Sequence, residues 1–134
     1  MAIVTGGKTI ECRTWKTDYR GDLLICSTRQ KYHGTIPGQA LGVVTLADVV
    51  PFTKKHLAPA IMTPAEYRPG LYAWVLEYPR LIIPQPVKGK LSLWDYTGPL
   101  EFIPEEEYLL EEGQEDIPGE PVPWIEKYWR PLMV

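Results

Sequence analysis

The stretch Gly6-Gly7-Lys8-Thr9-Ile10-Glu11-Cys12-Arg13-Thr14-Trp15 decides how the rest of the chain is read. From Lys8 to Trp15 the residues alternate, with Ile10 and Cys12 on one side and Glu11, Arg13 and Trp15 on the other, the period of a strand with one face in a core. Glu11 and Arg13 then share a face. Downstream, Asp18-Tyr19-Arg20-Gly21 is a polar turn, and Asp22-Leu23-Leu24-Ile25-Cys26-Ser27 is apolar enough for a central strand that delivers Ser27, Thr28 and Arg29 at its exit. Cations interleaved with Trp15 and Tyr19 suit an anion and a flat ring held together.

Working outward, Met1 to Gly7 is predicted as a short remnant of helix, and residues 30–38, with Tyr32 and His33, as a loop at the rim. Ala40 to Val50 is the longest β-type run, with Gly42 marking a bulge or tight bend. Thr63 as N-cap and Pro64 at the first helical position predict a short helix. Leu71 to Tyr78 is a strand, Leu81-Ile82-Ile83-Pro84 resumes after a break at Pro79, Lys88 sits in a turn with Gly89, and Leu91 to Trp94 is a last short strand. No helix-period runs alternate with these segments. The expected class is α+β and mostly β, a small barrel with one or two short helices.

With 134 residues, 45% of them hydrophobic, the chain can bury one core without disulfides or metal. Fourteen prolines and eleven glycines predict many turns and few long helices. The net charge of −3 hides a split: residues 1–96 carry 12 Lys/Arg against 7 Asp/Glu, whereas residues 97–134 carry 2 against 10. The body is therefore mildly basic, and the tail is acidic and proline-rich. We expect a body at 1–96 and an extension at 97–134, with a short helix over Pro104 to Leu110. Trp124, Ile125, Tyr128 and Trp129 are expected to pack on the body or on a partner subunit. Cys12 and Cys26 read as buried free thiols; neither has a CxxC partner, and His33 and His56 stand apart, so no metal site is implied. No signal peptide or run of about 18 apolar residues is present, which predicts a cytoplasmic protein with no membrane partner.

Four blocks, Lys8 to Trp15, Tyr19-Arg20-Gly21-Asp22-Leu23-Leu24-Ile25, Gly42-Val43-Val44 and Pro86-Val87-Lys88-Gly89-Lys90-Leu91-Ser92-Leu93-Trp94, resemble in order the ASCH domain family of the PUA-like superfamily. The resemblance covers residues 1–96. It implies a small PUA-like mixed β-barrel with helices over its opening, and a cleft near the Lys8-x-x-Glu11-x-Arg13 strand. Members are associated with RNA binding; one branch is similar to amidohydrolases that deacetylate acetylcytidine, and nuclease activity is also associated with the family. Two features depart from the pattern. The usual strand and fuller helix before the lysine are reduced here to Met1 to Thr5, which is expected to leave a barrel edge for the C-terminal tail or a second subunit to cover. The third residue after the lysine is Glu11, where the deacetylating branch has threonine.

These considerations predict an RNA- or nucleotide-binding protein in which Lys8, Arg13, Arg20, Arg29 and Lys88 contact phosphate, Trp15 and Tyr19 stack on bases and Ser27 lines the site. Each has an ordinary alternative. Lys8 or Arg13 can pair with Glu11, Trp15 can be core, and Arg20 and Lys88 can be solvated turn charges. A hydrolase acting on a modified nucleoside or on RNA is the rival reading, with Lys8 as nucleophile or base, Glu11 handling protons and Arg13 or Arg29 stabilising an oxyanion. The partners implied are RNA or a nucleotide or nucleoside ligand, with a homodimer through the N-terminal edge or the tail. No cofactor is implied.

Overall fold

The alternation of the first strand is realised as a four-residue ladder. In the computed structural model, which describes residues 2–28, 33–88, 93, 95–109 and 118–134, strand β1 (Ile10–Arg13) pairs antiparallel with β4 (Tyr72–Pro86). Ile10 and Cys12 lie opposite Val75 and Ala73, and Glu11 and Arg13 opposite Trp74 and Tyr72. With β2 (Gly21–Cys26) and β3 (Gln39–Pro51) the sheet has the order β1-β4-β3-β2. The fold is mostly β, as expected, but the pairing is antiparallel rather than mixed. Hairpin connections allow this, because neither the 2–3 nor the 3–4 link has to cross over the sheet. The chain divides into two units, Met1–Ile25 with Val43–Arg80, and Cys26–Gly42 with Leu81–Val134.

In the first unit β4 is buried on both faces, which explains its nearly unbroken apolar run from Leu71 to Leu76. Ala73 joins Ile10, Phe52, Leu57, Ala60 and Leu71 in one cluster, while Trp74 and Leu76 pack with Val44 and Leu46 in another. The β3–β4 link is built from two tight 3₁₀ turns. In the first, Lys54–His56, the Thr53 N–H donates to His56 Nδ1 at 2.9 Å. In the second, Pro64–Glu66, the Thr63 N–H and hydroxyl donate to Glu66 Oε1 at 2.9 and 3.0 Å, so the expected cap is present but closes a single turn. The Pro59 carbonyl accepts from the N–H groups of Thr9 and Ile10 at 3.1 and 3.3 Å, tying the start of β1 to this link. On the sheet, Arg80 reaches both carboxylate oxygens of Asp22 (3.3 and 2.9 Å) and the Thr45 hydroxyl (3.1 Å), so β2, β3 and β4 are laced by one guanidinium. This holds the Asp22 carboxyl below the usual carboxylate range.

In the second unit Ser27 fastens the β2–β3 hairpin. Its N–H donates to the Gln39 carbonyl at 2.8 Å, its hydroxyl accepts from the Gln39 N–H at 2.9 Å, and Gly38, at φ +63, bonds back to Thr28. Residues 101–103 lie against β4 through an Ile82–Phe102 bridge, with Ile83 N–H to the Glu101 carbonyl at 2.8 Å and Ile103 N–H to the Leu81 carbonyl at 3.0 Å. A short C-terminal helix is wound as a π-turn over Ile125–Trp129 and tightens over Arg130–Leu132. Trp124 and Trp129 meet edge to face at 4.7 Å, and the buried Trp129 indole N–H has no acceptor among the described residues. Glu107 accepts from Lys127 (3.1 Å) and from the Tyr128 hydroxyl (3.1 and 3.0 Å), which holds its carboxyl below the ordinary range.

Several expectations are corrected. β4 is one strand running through Pro79 and Pro84, not two segments separated by a break. Its pairing with β1 ends at Val75 and residues 101–103 begin at Leu81, so Pro79 falls where no N–H is called for, and Tyr78 absorbs the turn at φ +50. Residues 2–6 form turns rather than a helix remnant, closed by Gly6 at φ +83. The helix expected over Pro104 to Leu110 is a single turn at Glu105–Glu107. Both cysteines are free thiols and half-buried. The strand expected at Leu91 to Trp94 lies largely outside the described residues, as do Tyr32 and Arg29.

Leu46 is fully buried, so Leu46→Ala should lower the unfolding free energy by about 2–5 kcal/mol in urea titrations. His56 is buried, and burial, reinforced by Lys55, lowers its pKa from 6.5. The unfolded chain then binds the proton more readily, so the stabilisation is complete above pH 6.5 and lost as pH falls below it. His56→Gln should flatten that slope in urea midpoints measured on either side of pH 6.5.

Candidate functional site

Lys8 stands immediately before β1, where its N–H bonds to the Ala2 carbonyl at 3.1 Å and the Thr9 carbonyl accepts from Leu76 at 2.9 Å. Lys8 Nζ lies 3.5 Å from Glu11 Oε1, with the two side chains 25% and 22% exposed. The carboxylate that sequence pairs with either Lys8 or Arg13 is therefore engaged by Lys8. Lys8 and Thr9 share a concavity of ≈ 280 Å³ with Glu77 and Tyr78, floored by Val44 and Leu76.

Arg13, at the other end of β1, faces a different space. A concavity of ≈ 460 Å³ is lined by Arg13, Thr14, Tyr67 and Arg68 over Cys12, Met62 and Leu71. Neither Arg13 nor Arg68 has a hydrogen-bond or ion-pair partner among the described residues. Glu66 also lines this space, but its Oε1 already accepts from Thr63, whose two hydrogen bonds hold the carboxyl below its ordinary range. Burial pushes the Cys12 thiol up, aided by Glu11 and opposed by the positive charges of Arg68, Lys8 and Arg13. A thiol raised in this way stays protonated at neutral pH and is a poor nucleophile. Cys26 is likewise raised by burial.

The remaining candidates divide between exposed and committed groups. Trp15 keeps 37% of its surface exposed while its ring stands edge-on to Trp74 at 4.7 Å and its carbonyl accepts from Trp74 Nε1 at 3.1 Å. Tyr19 is 44% exposed, and its hydroxyl donates to the Asp22 carbonyl at 2.7 Å, over Gly21 at φ +137, where a Cβ would crowd the tyrosine hydroxyl. Arg20 is tied down by the carbonyls of Thr17 and Tyr19 (2.8 and 2.9 Å) and lies 3.5 Å from Asp48. Ser27 is spent on the hairpin, Lys88 is exposed in the second unit, and Arg29 lies outside the described residues. Lys8 and Glu11 are thus brought together, and Arg13 is set beside Arg68 in the other concavity. Tyr67 and Arg68 escaped the sequence reading. Their signal was Tyr67-Arg68-Pro69-Gly70, an aromatic and a cation placed in a turn just before a strand. Among the described residues no cluster of His, Cys, Asp and Glu could hold a metal ion, and no helix is long and apolar enough to cross a membrane.

Comparison with known proteins adds two findings. The ASCH domain profile matches residues 1–86. A crystal structure of a mutant of ZmASCH from Zymomonas mobilis superposes with a TM-score of 0.51 at 21% identity, covering 64% of this chain and 67% of that one, a likeness of fold. No curated protein matches the chain.

Because Arg13 and Arg68 make no partners among the described residues, Arg13→Gln and Arg68→Gln should each change the unfolding free energy by less than about 0.5 kcal/mol. Trp15→Ala removes a ring pair and should cost about 0.5–1.5 kcal/mol beyond the lost burial, measured in the same urea titrations.

Proposed function

Since the chain belongs to the ASCH domain family, we propose that it binds single-stranded RNA or a nucleotide along β1, within the PUA-like barrel architecture of that family. The observation that carries this reading is a guanidinium, Arg13, left without a partner among the described residues at the end of a strand whose continuation exposes Trp15 and Tyr19. An unpaired guanidinium is a ready phosphate ligand, and exposed rings beside it offer stacking worth about 1–3 kcal/mol per base. No recognition helix is available for a duplex groove among the described residues, so a single strand is the favoured form.

The hydrolase reading rests on the Lys8–Glu11 pair, of which Lys8 lines the smaller concavity. An amine must shed its proton before it attacks, and Lys8 is engaged as an ion-pair donor, which favours binding over covalent catalysis. Turnover of acetylated cytidine or RNA that disappears in Lys8→Ala and Glu11→Ala would reverse that order.

For binding, the logarithm of RNA affinity should fall linearly with the logarithm of salt, by about 0.7 for each phosphate contacted. Arg13→Gln should weaken binding for all sequences and reduce the slope by about one contact, measured by fluorescence anisotropy. Affinity independent of salt would remove the phosphate contacts from the reading.

A further inference from the structure

The two ends of β1 differ in the state of their charges. At Lys8 the ammonium already has a carboxylate 3.5 Å away. In the ≈ 460 Å³ concavity Arg13 and Arg68 have none among the described residues, and the one carboxylate present, Glu66, is engaged by the Thr63 N–H and hydroxyl. Two guanidiniums against one occupied carboxylate leave surplus positive charge above the apolar surface of Cys12, Met62 and Leu71. Two cations at the rim of an apolar floor, around a space within the ~300–1,000 Å³ range of small-ligand sites, combine the charge and the apolar surface that a small anionic ligand uses.

We propose that this concavity binds a nucleotide-sized phosphate monoester, its phosphate gripped by Arg13 and Arg68 and its base lying against Tyr67 and the apolar floor. A monoester carries about −1.5 to −2 charge at pH 7 and three terminal oxygens, enough to answer two guanidinium forks, whereas an internal diester carries a single charge. Tyr67 lines the same space, its ring neighboured by Phe52 at 6.4 Å and by Lys54 Nζ at 5.7 Å. Lys54 also adds a third cation beside the ring. The same chemistry can come from a free mononucleotide or from the phosphorylated end of an RNA strand. The inference deepens the nucleotide-binding reading above and rests on it, adding that the chain distinguishes a terminal phosphate from an internal one.

Isothermal titration of the full chain with cytidine 5′-monophosphate, with cytidine, and with a short oligouridylate bearing either a 5′-phosphate or a 5′-hydroxyl tests this. The monophosphate should bind at least about tenfold more tightly than cytidine, and Arg68→Gln should remove that advantage. If the RNA end is the source, the phosphorylated oligonucleotide should outbind the hydroxyl form in the parent chain and equal it in Arg68→Gln. If only the mononucleotide shows the effect, the source is the free nucleotide. Equal binding of monophosphate and cytidine, or an advantage that survives in Arg68→Gln, overturns the proposal. RNA binding that is salt-dependent but indifferent to the end group and to Arg68→Gln would overturn this inference and leave the β1 reading standing. Monophosphate binding without any RNA binding would do the reverse for the RNA arm. Arg68 is exposed and without a partner among the described residues, and a urea midpoint equal to the parent's shows that the variant is folded; Arg13→Gln gives a second, independent loss.

Discussion

The register of β1 on β4 is the constraint on which the first unit depends. A slip of one residue would turn Ile10 and Cys12 away from their cluster and drive Glu11 and Arg13 into it. Four residues of edge pairing are too few to hold such a register alone. It is clamped at both ends. Before the strand, the Pro59 carbonyl collects the Thr9 and Ile10 N–H groups; beyond it, the Trp15 carbonyl takes the Trp74 indole proton, which anchors the buried partner of Glu11. A short charged strand is thereby held on an apolar one.

Much of this was legible in the residues. Alternation from Lys8 to Trp15 marked β1 and its two faces because the period of a half-buried strand is visible in a single chain. Thr63-Pro64-Ala65-Glu66 marked its cap because the partners are three residues apart. What escaped was set by distant partners. The continuity of β4 through Pro79 depends on where β1 stops and residues 101–103 start, which no local pattern records. Arg68 stands beside Arg13 only because the β3–β4 link returns to the end of β1, a consequence of topology rather than spacing. Sequence could name the charges near Glu11, and geometry alone could say that Lys8 holds it.

Polar lacing takes over where burial is thin. β2 is only half-buried along Leu23 to Cys26, yet the Arg80–Asp22–Thr45 set joins it to β3 and β4 through short bonds. Ser27 extends the same logic into the second unit, where one hydroxyl accepts from the Gln39 N–H and faces its carbonyl. There too, the acidic segment is fastened by Lys127 and Tyr128 converging on Glu107. These are surface attachments of modest individual worth, effective through their number.

The buried Trp129 indole leaves the C-terminal helix with room for improvement. Its N–H has left water without finding an acceptor among the described residues, so part of the ring's hydrophobic gain is cancelled by a stranded donor. An engineer seeking a hardier version of this protein would begin there, with Trp129→Phe. That exchange keeps an aromatic ring against Trp124 and discards the stranded proton.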